Sequence, residues 1–361
     1  MANRLFELPE TKGTFQVKGI INGTEKEKFY TAKKTKNGKD FRAVNFGCEY
    51  DTMKSVYLNL NGMPQDKVYF SRRNAETGKT ETKAVPWANR NTFNEADFRM
   101  IGTNLGLTKT INAEGKTVND KKTMHAFDAC EYIKKNLKDE MSTFVKGNVE
   151  FSSYTDTEGN VRRSVKYIPT QISLCKDVDF DEYDETNKPA HDFTQTILYM
   201  GIDKETVDEK DTGRFVVSAK VVTYSDIVDA EFFIADSKLA CLFKKNLKPY
   251  NAISVHGKIV VSHNIQATSE EDAWGETNTM NTIKSNSTTE MVITGATPST
   301  IDKETYNEKN VSAAIKAIKN AKTAEQNFSG KSKNIDITVD EDWGSDDWGS
   351  SAAADDEDTP W

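Results

Sequence analysis

The chain has 361 residues with 56 acidic and 48 basic side chains, a net charge of −8. Ten of those acids lie between Asp336 and Asp358 and no Lys or Arg follows Lys333, so the last 26 residues hold the acidity and the rest has 46 acids against 48 bases. Four scattered cysteines (Cys48, Cys130, Cys175, Cys241) without a CxxC pair exclude a small disulfide scaffold, and no apolar run approaches the about 20 residues of a bilayer-spanning helix. The opening MANRLFELPETKGTF lacks a leader's apolar segment, so a soluble protein of a reducing, cytoplasmic compartment is expected, without membrane contact.

Strands dominate the first half. Thr14 to Ile21, Asp40 to Tyr50, Ser55 to Leu60, Lys67 to Arg73 and Thr82 to Trp87 are rich in Val, Tyr and Phe and are separated by NG, KNGK, NGMP and NAETGK turn clusters. In HAFDACEYIKKNLKDE the period changes: Ala126, Cys130, Ile133 and Leu137 form the stripe of an amphipathic helix. A hairpin follows, with arms Phe144 to Ser153 and Ser164 to Leu174. The second half repeats part of the first. IKKNLKDEMSTFVKGNVEFS (133–152) aligns without gaps to FKKNLKPYNAISVHGKIVVS (243–262) at an offset of 110, with KKNLK identical, which indicates an internal duplication.

Strand, long strand, strand, helix, strand is the order of the five-stranded OB barrel. The expected fold is therefore mainly β: two tandem OB-fold-like barrels, each with one helix, and a disordered acidic C-terminal tail. The divisions are a first domain over 1–175 with an inserted hairpin at 61–120, an acidic linker over 176–192, and a second domain over 193–265. A partly flexible extension over 266–327 follows, with a short strand at Glu290 to Thr294 and a helix at Asn307 to Lys322 whose Val311, Ala314, Ile315 and Ile318 should pack on the second barrel. Low complexity predicts disorder over 328–361.

Nothing in the sequence supports catalysis or a cofactor. HExxH, Walker A, GxSxG and zinc-like Cys/His spacings are all missing, and the acids of DFDEYDE read as a solvated linker rather than a metal site. Charge placement points to binding instead. Residues 1–175 hold 29 Lys and Arg against 21 Asp and Glu, a net +8, whereas 176–335 hold 19 against 25, a net −6. In the positive half, Lys33, Lys34, Lys36, Lys39 and Arg42 surround a strand entry. The inserted hairpin adds Tyr69, Arg72, Arg73, Lys83, Trp87 and Arg90, and Tyr57 lies on the polar face of its strand. Cations that track phosphates beside rings that stack on unpaired bases are what single-stranded nucleic acid requires. Several neighbouring rings equally suit a barrel core. Acids interleaved among the lysines of the first helix argue against a duplex-reading helix.

The chain ends in DDEDTPW. Asp355, Asp356, Glu357, Asp358, Pro360 and Trp361 resemble the Asp-Asp-Asp-Ile-Pro-Phe tip of bacterial single-stranded DNA-binding proteins, with Thr359 in place of the aliphatic residue and Trp361 in place of Phe. The resemblance implies a non-enzymatic protein that coats single-stranded DNA in replication, recombination and repair. It also implies a tip that recruits polymerase, helicase or recombinase partners by seating an aromatic ring in an apolar pocket beside basic groups. Two barrels in one chain look more like a bacteriophage version than the one-barrel bacterial subunit. Two other readings fit the residues: an RNA-binding or RNA-polymerase-associated OB protein, and an acidic DNA-mimic inhibitor.

Overall fold

Alternating burial defines the first strand, where Phe15, Val17 and Ile21 face inward and Thr14, Gln16 and Lys18 outward. In the computed structural model, which describes residues 4–155, 160–182, 185, 187–207, 209–267 and 283–331, this strand is β1 (Gly13–Asn22). It is followed by β2 (Tyr30–Lys34), β3 (Asp40–Asp51) and β4 (Lys54–Gly62). The insertion holds β5 (Lys67–Arg73), β6 (Thr80–Pro86), β7 (Arg99–Met100), β8 (Thr103–Ile111) and β9 (Thr117–Met124). The first half ends with α1 (Ala126–Asn136), β10 (Ser142–Thr155) and β11 (Val161–Leu174). In the second half come β12 (Ala190–Val207), β13 (Lys210–Val222), β14 (Ile227–Ile234), α2 (Ser237–Asn246), β15 (Asn251–Ala267), β16 (Ile283–Asp302) and α3 (Glu308–Lys331).

Both halves close as five-stranded barrels in one order. In the first, β1 pairs with β3, β3 with β4, β4 in parallel with β11, β11 with β10, and β10 with β1. In the second, β12, β13, β14, β16 and β15 close the same circuit, again with one parallel step, β14 to β16. Each helix lies between the third and fourth barrel strands. This is OB topology, and the chain is mainly β with two OB-like barrels.

The repeat has physical reasons. Gly147 and Gly257 each sit at a register shift of the fourth barrel strand. A Cβ there would come within 2.0 Å of the Ile168 carbonyl oxygen or 1.9 Å of that of Val292, so only glycine permits the two backbones to approach. In KKNLK the leucines Leu137 and Leu247 are buried C-caps, and the Asn136 and Asn246 amides donate to the carbonyls of Tyr132 and Leu242. The first two lysines of each copy occupy the last helical turn, where positive charge is favoured.

The barrels are joined by antiparallel pairing of β1 with β12, with Phe15 opposite Phe193. Phe15 faces Gly147 on β10 and Phe193 faces Gly257 on β15, so the two phenylalanines are equivalent in the repeat and a local two-fold axis runs between them. Their cores merge, with Phe232 6.1 Å from both Phe151 and Phe193. The Tyr50 ring stacks on His191 at 4.1 Å, its hydroxyl accepts the buried Val261 N–H at 2.9 Å, and His191 Nδ1 lies 2.6 Å from the Ile259 carbonyl oxygen.

Four expectations change in extent. The insertion holds two hairpins: β5 and β6 with β7 form a separate three-stranded sheet, while β8 and β9 extend the main sheet through parallel pairing of β8 with β11. The short strand at Glu290 to Thr294 is part of a 20-residue strand that closes the second barrel, because partner positions on β15 continue the ladder beyond the polar residues that obscured it. The acidic linker is anchored by buried Val178, whose N–H donates to Ser142 Oγ at 2.9 Å. Helix α3 continues past Lys322 to Lys331, and Val311, Ala314 and Ile318 pack on the second barrel, with Phe6 and Leu8 from the start of the chain completing that cluster. Residues 268–282, part of the extension expected to be partly flexible, and 332–361, which include the tip, lie outside the described residues. Among the described residues no helix is long and apolar enough to cross a membrane.

Removing the Tyr50 hydroxyl leaves the Val261 N–H buried without an acceptor, so Tyr50→Phe should lower stability by about 1–3 kcal/mol in urea titration. Burial also holds the His191 and His125 imidazoles below their usual range. A folded value below the unfolded one, about 6.5, gives stability that is complete above that pH and lost as pH falls through the folded value. His191→Phe, which keeps a ring on Tyr50, should therefore lose less stability than the parent between pH 7.5 and 5.5.

Candidate nucleic-acid interface

The N-terminal half of α1 gathers the basic elements of the first half. Arg42, opposite Ala32 in the middle of the β2–β3 hairpin, pairs with Glu131 at 2.8 Å and lies 4.0 Å over the Phe127 ring. Arg90, at the end of the three-stranded sheet, grips both oxygens of Asp128 at 2.6 and 3.0 Å. Its guanidinium also lies 4.0 Å over Trp87, which meets His125 and Phe127 edge-on. His125 caps the helix, its Nδ1 accepting the Phe127 N–H at 3.2 Å. Hairpin and sheet are thus pinned to one end of the first barrel. Arg42, Arg90 and Trp87 are the pins.

Strand alternation sorts the remaining candidates. The inner face of the three-stranded sheet covers a small core of Val68, Phe70 and Val85, closed by Phe93, Phe98 and Met100. On that side Arg72 pairs with Glu81 at 2.7 Å and lies over Phe98, and Lys83 pairs with Glu95 and lies over Phe93. The outer face presents Lys67, Tyr69, Ser71 and Arg73 on β5, Thr80, Thr82, Ala84 and Pro86 on β6, and Arg99, followed by Ile101, at the third edge. No acid stands among them. Tyr69 is 45% exposed and opposite Ala84, whose small side chain leaves the ring uncovered on that side. Arg99 escaped sequence reasoning because its strand is two residues long.

The β2–β3 hairpin carries exposed Lys33, Lys34, Lys36 and Lys39 around its turn. Beside it, the outer face of β3 and β4 is polar but uncharged for most of its length. Asn59 donates to Asn45, Asn61 donates to Asn59 at 3.1 Å, and Asn45 donates to the Lys28 carbonyl at 3.2 Å. Tyr57, opposite Gly47, is the ring of this face and is 36% exposed. Burial raises its hydroxyl pKa. The β8–β9 hairpin adds exposed Lys109 and Lys121, which the sequence reading missed. Its signal was the turn NAEGK (112–116), which matches NAETGK (74–79): Asn112 and Asn74 both accept backbone N–H groups two residues on.

Burial pushes the Cys48 and Cys130 thiols up to about 12, so neither is a nucleophile at neutral pH. The second barrel offers a different face. At the positions corresponding to the β3–β4 face, Lys220 pairs with Asp229, Glu231 with Arg163, and Arg214 with both Glu205 and Glu290. Its charges are paired, that of Glu231 by a cation of the first barrel.

Two OB-like barrels fused through their first strands, with a cationic sheet inserted before the first helix, define the class. Residues 72–330 match the YorF family, and the chain belongs to that family. No curated protein sequence matches it. Among solved structures it is similar to the single-stranded DNA binding protein from Thermus aquaticus. A deletion variant gives a TM-score of 0.37 at 9% identity over 83% of this chain and 98% of that one. The wild type gives 0.36 at 10% over 80% and 93%. The strand order defines the barrels.

If Arg90 is a pin, Arg90→Ala should speed proteolysis and amide exchange across 67–101 while leaving exchange in β1, β10 and β12 unchanged. Equal exchange in the variant and the parent would mean the sheet is held by its other contacts.

Proposed function

We propose that the protein binds single-stranded nucleic acid, and DNA in particular, without sequence preference. The observation that carries this reading is the acid-free outer face of the inserted sheet, where Lys67, Arg73 and Arg99 surround exposed Tyr69. A flat face of separated cations and one uncovered ring accommodates a flexible strand whose phosphates spread and whose bases have no partners. A rigid duplex would require a convex element to enter a groove. Lys33, Lys34, Lys36 and Lys39 extend the cationic path over the first barrel, and the asparagine face with Tyr57 supplies hydrogen-bonding groups and a second ring. Arg42, Arg72, Lys83, Arg90 and Trp87 support this surface from behind through their ion pairs and ring contacts. Binding would shield exposed template in replication, recombination and repair, in a phage-type system inside the host cytoplasm, and requires no catalysis.

The acidic end completes the proposal. Asp355, Asp356, Glu357, Asp358, Pro360 and Trp361 would recruit a replication protein with an apolar pocket and a basic rim, the aromatic entering the pocket and the acids meeting the rim.

Oligo-dT should bind with an affinity that falls steeply with salt. If Lys34, Lys39, Lys67, Arg73, Lys79 and Arg99 all meet phosphates, the log–log slope is about −4, a loss of roughly 300-fold between 50 and 200 mM. Tyr69→Ala should weaken binding by about 1–3 kcal/mol with an unchanged thermal midpoint, whereas Lys83→Ala should change affinity little. Equal affinity for duplex would refute the reading, and tighter binding of matched oligo-U would reassign it to RNA. Ending the chain at Lys333 should preserve oligonucleotide binding and abolish capture of the replication partner.

A further inference from the structure

Tyr57 belongs to two surfaces. It is the exposed ring of the β3–β4 face, and it also lines a cleft of about 530 Å³ between the two barrels. The other walls come from β11, with Arg163 and Val165, and from β14 and β16 of the second barrel, with Glu231, Phe233 and Met291. The floor is apolar, since Phe151, Tyr167 and Met291 are buried there. Phe233 is half-buried, with the Arg214 guanidinium 4.8 Å from its ring centroid.

The charges of this cleft differ from those of the cationic sheet. Three carboxylates line it, and each is matched by a cation: Glu231 by Arg163 at 3.0 Å, Glu290 by Arg214 at 2.8 Å, and Asp229 by Lys220. The cleft therefore has no surplus positive charge for a phosphate, and its carboxylates repel one. What it offers is an apolar floor, an aromatic ring on each barrel, and paired donor and acceptor groups at the Arg163–Glu231 rim. An unpaired nucleobase has complementary chemistry, with apolar faces, polar edges and no charge. The size falls within the about 300–1,000 Å³ range of small-ligand sites.

We infer that the interbarrel cleft receives an unpaired base from a strand whose phosphates remain on the first barrel, so that the second barrel contributes a base pocket rather than a phosphate track. This rests on the proposed binding of single strands. Base and backbone are divided between the halves: cations of the +8 half hold the backbone, and the ion-paired face of the −6 half contacts only the base. Tyr57 is the shared wall, so a strand crossing the β3–β4 face reaches the cleft without leaving the protein.

The test uses the full-length protein and dT oligonucleotides bearing a single 5-iodouracil, moved along the strand, with photo-crosslinked peptides identified by mass spectrometry. At least one position should crosslink to 228–233 or 163–167. Phe233→Ala and Phe233→Leu should both weaken binding about 5- to 100-fold for oligonucleotides long enough to crosslink there, and leave unchanged the affinity of shorter ones that crosslink only to the first barrel. The leucine variant preserves apolar bulk without a flat face, so parental affinity in Phe233→Leu would show that the ring serves packing and would overturn the inference. Crosslinks confined to 30–42 and 67–101 would overturn it while leaving single-strand binding intact. Absence of oligonucleotide binding by the parent protein would overturn both.

Discussion

The antiparallel pairing of β1 with β12 is the constraint on which the rest of the molecule depends. Each barrel needs its first strand hydrogen-bonded on both edges, and each first strand also serves as the other's neighbour. Because Phe15 faces Phe193 across the axis, the two barrel cores meet and merge instead of remaining separate apolar bodies. Tyr50 stacked on His191, and Tyr50 bonded to the Val261 backbone, fix the angle between the halves. The cleft containing Tyr57 and Phe233 lies between the two halves so joined.

Within this frame, ion pairing rather than charge count determines which side chains can meet a ligand. Successive side chains of a β-strand face opposite ways, so neighbouring cations can meet different surroundings. On the three-stranded sheet those facing inward are neutralised by Glu81 and Glu95, while those facing outward have no acid beside them. The same rule separates the barrels. Both carry cations on corresponding strands, but on the second Lys220 and Arg214 are each matched by a carboxylate, and Glu231 is matched by Arg163 of the first barrel.

The barrels were legible in the sequence because their residues obey period-two burial and because KKNLK repeats at a fixed offset. The closing strand of the second barrel was not, since its ladder partners start in a run of Ser, Thr and Asn whose strand character comes from β15 rather than from apolar alternation. Lys34, Lys39, Tyr57, Tyr69 and Arg73, read from the sequence as nucleic-acid contacts, lie at the surface. Arg42, Arg72, Lys83, Arg90 and Trp87 have the same composition but lie against acids and rings far away in sequence or across a strand. Composition cannot distinguish a cation that faces solvent from one held by Asp128, 38 residues further on.

Fusing two equivalent barrels has a further consequence. Two separate chains pairing through their first strands would associate only above their dissociation constant and would carry identical faces. Tethering replaces that concentration dependence with a fixed effective concentration, so the paired arrangement survives any dilution. It also releases each half from having to match itself. One copy can lose its surplus positive charge, and the other can accept 60 inserted residues, without either change being imposed on its mate. The asymmetry of charge along this chain is a freedom that a symmetric pair of subunits does not have.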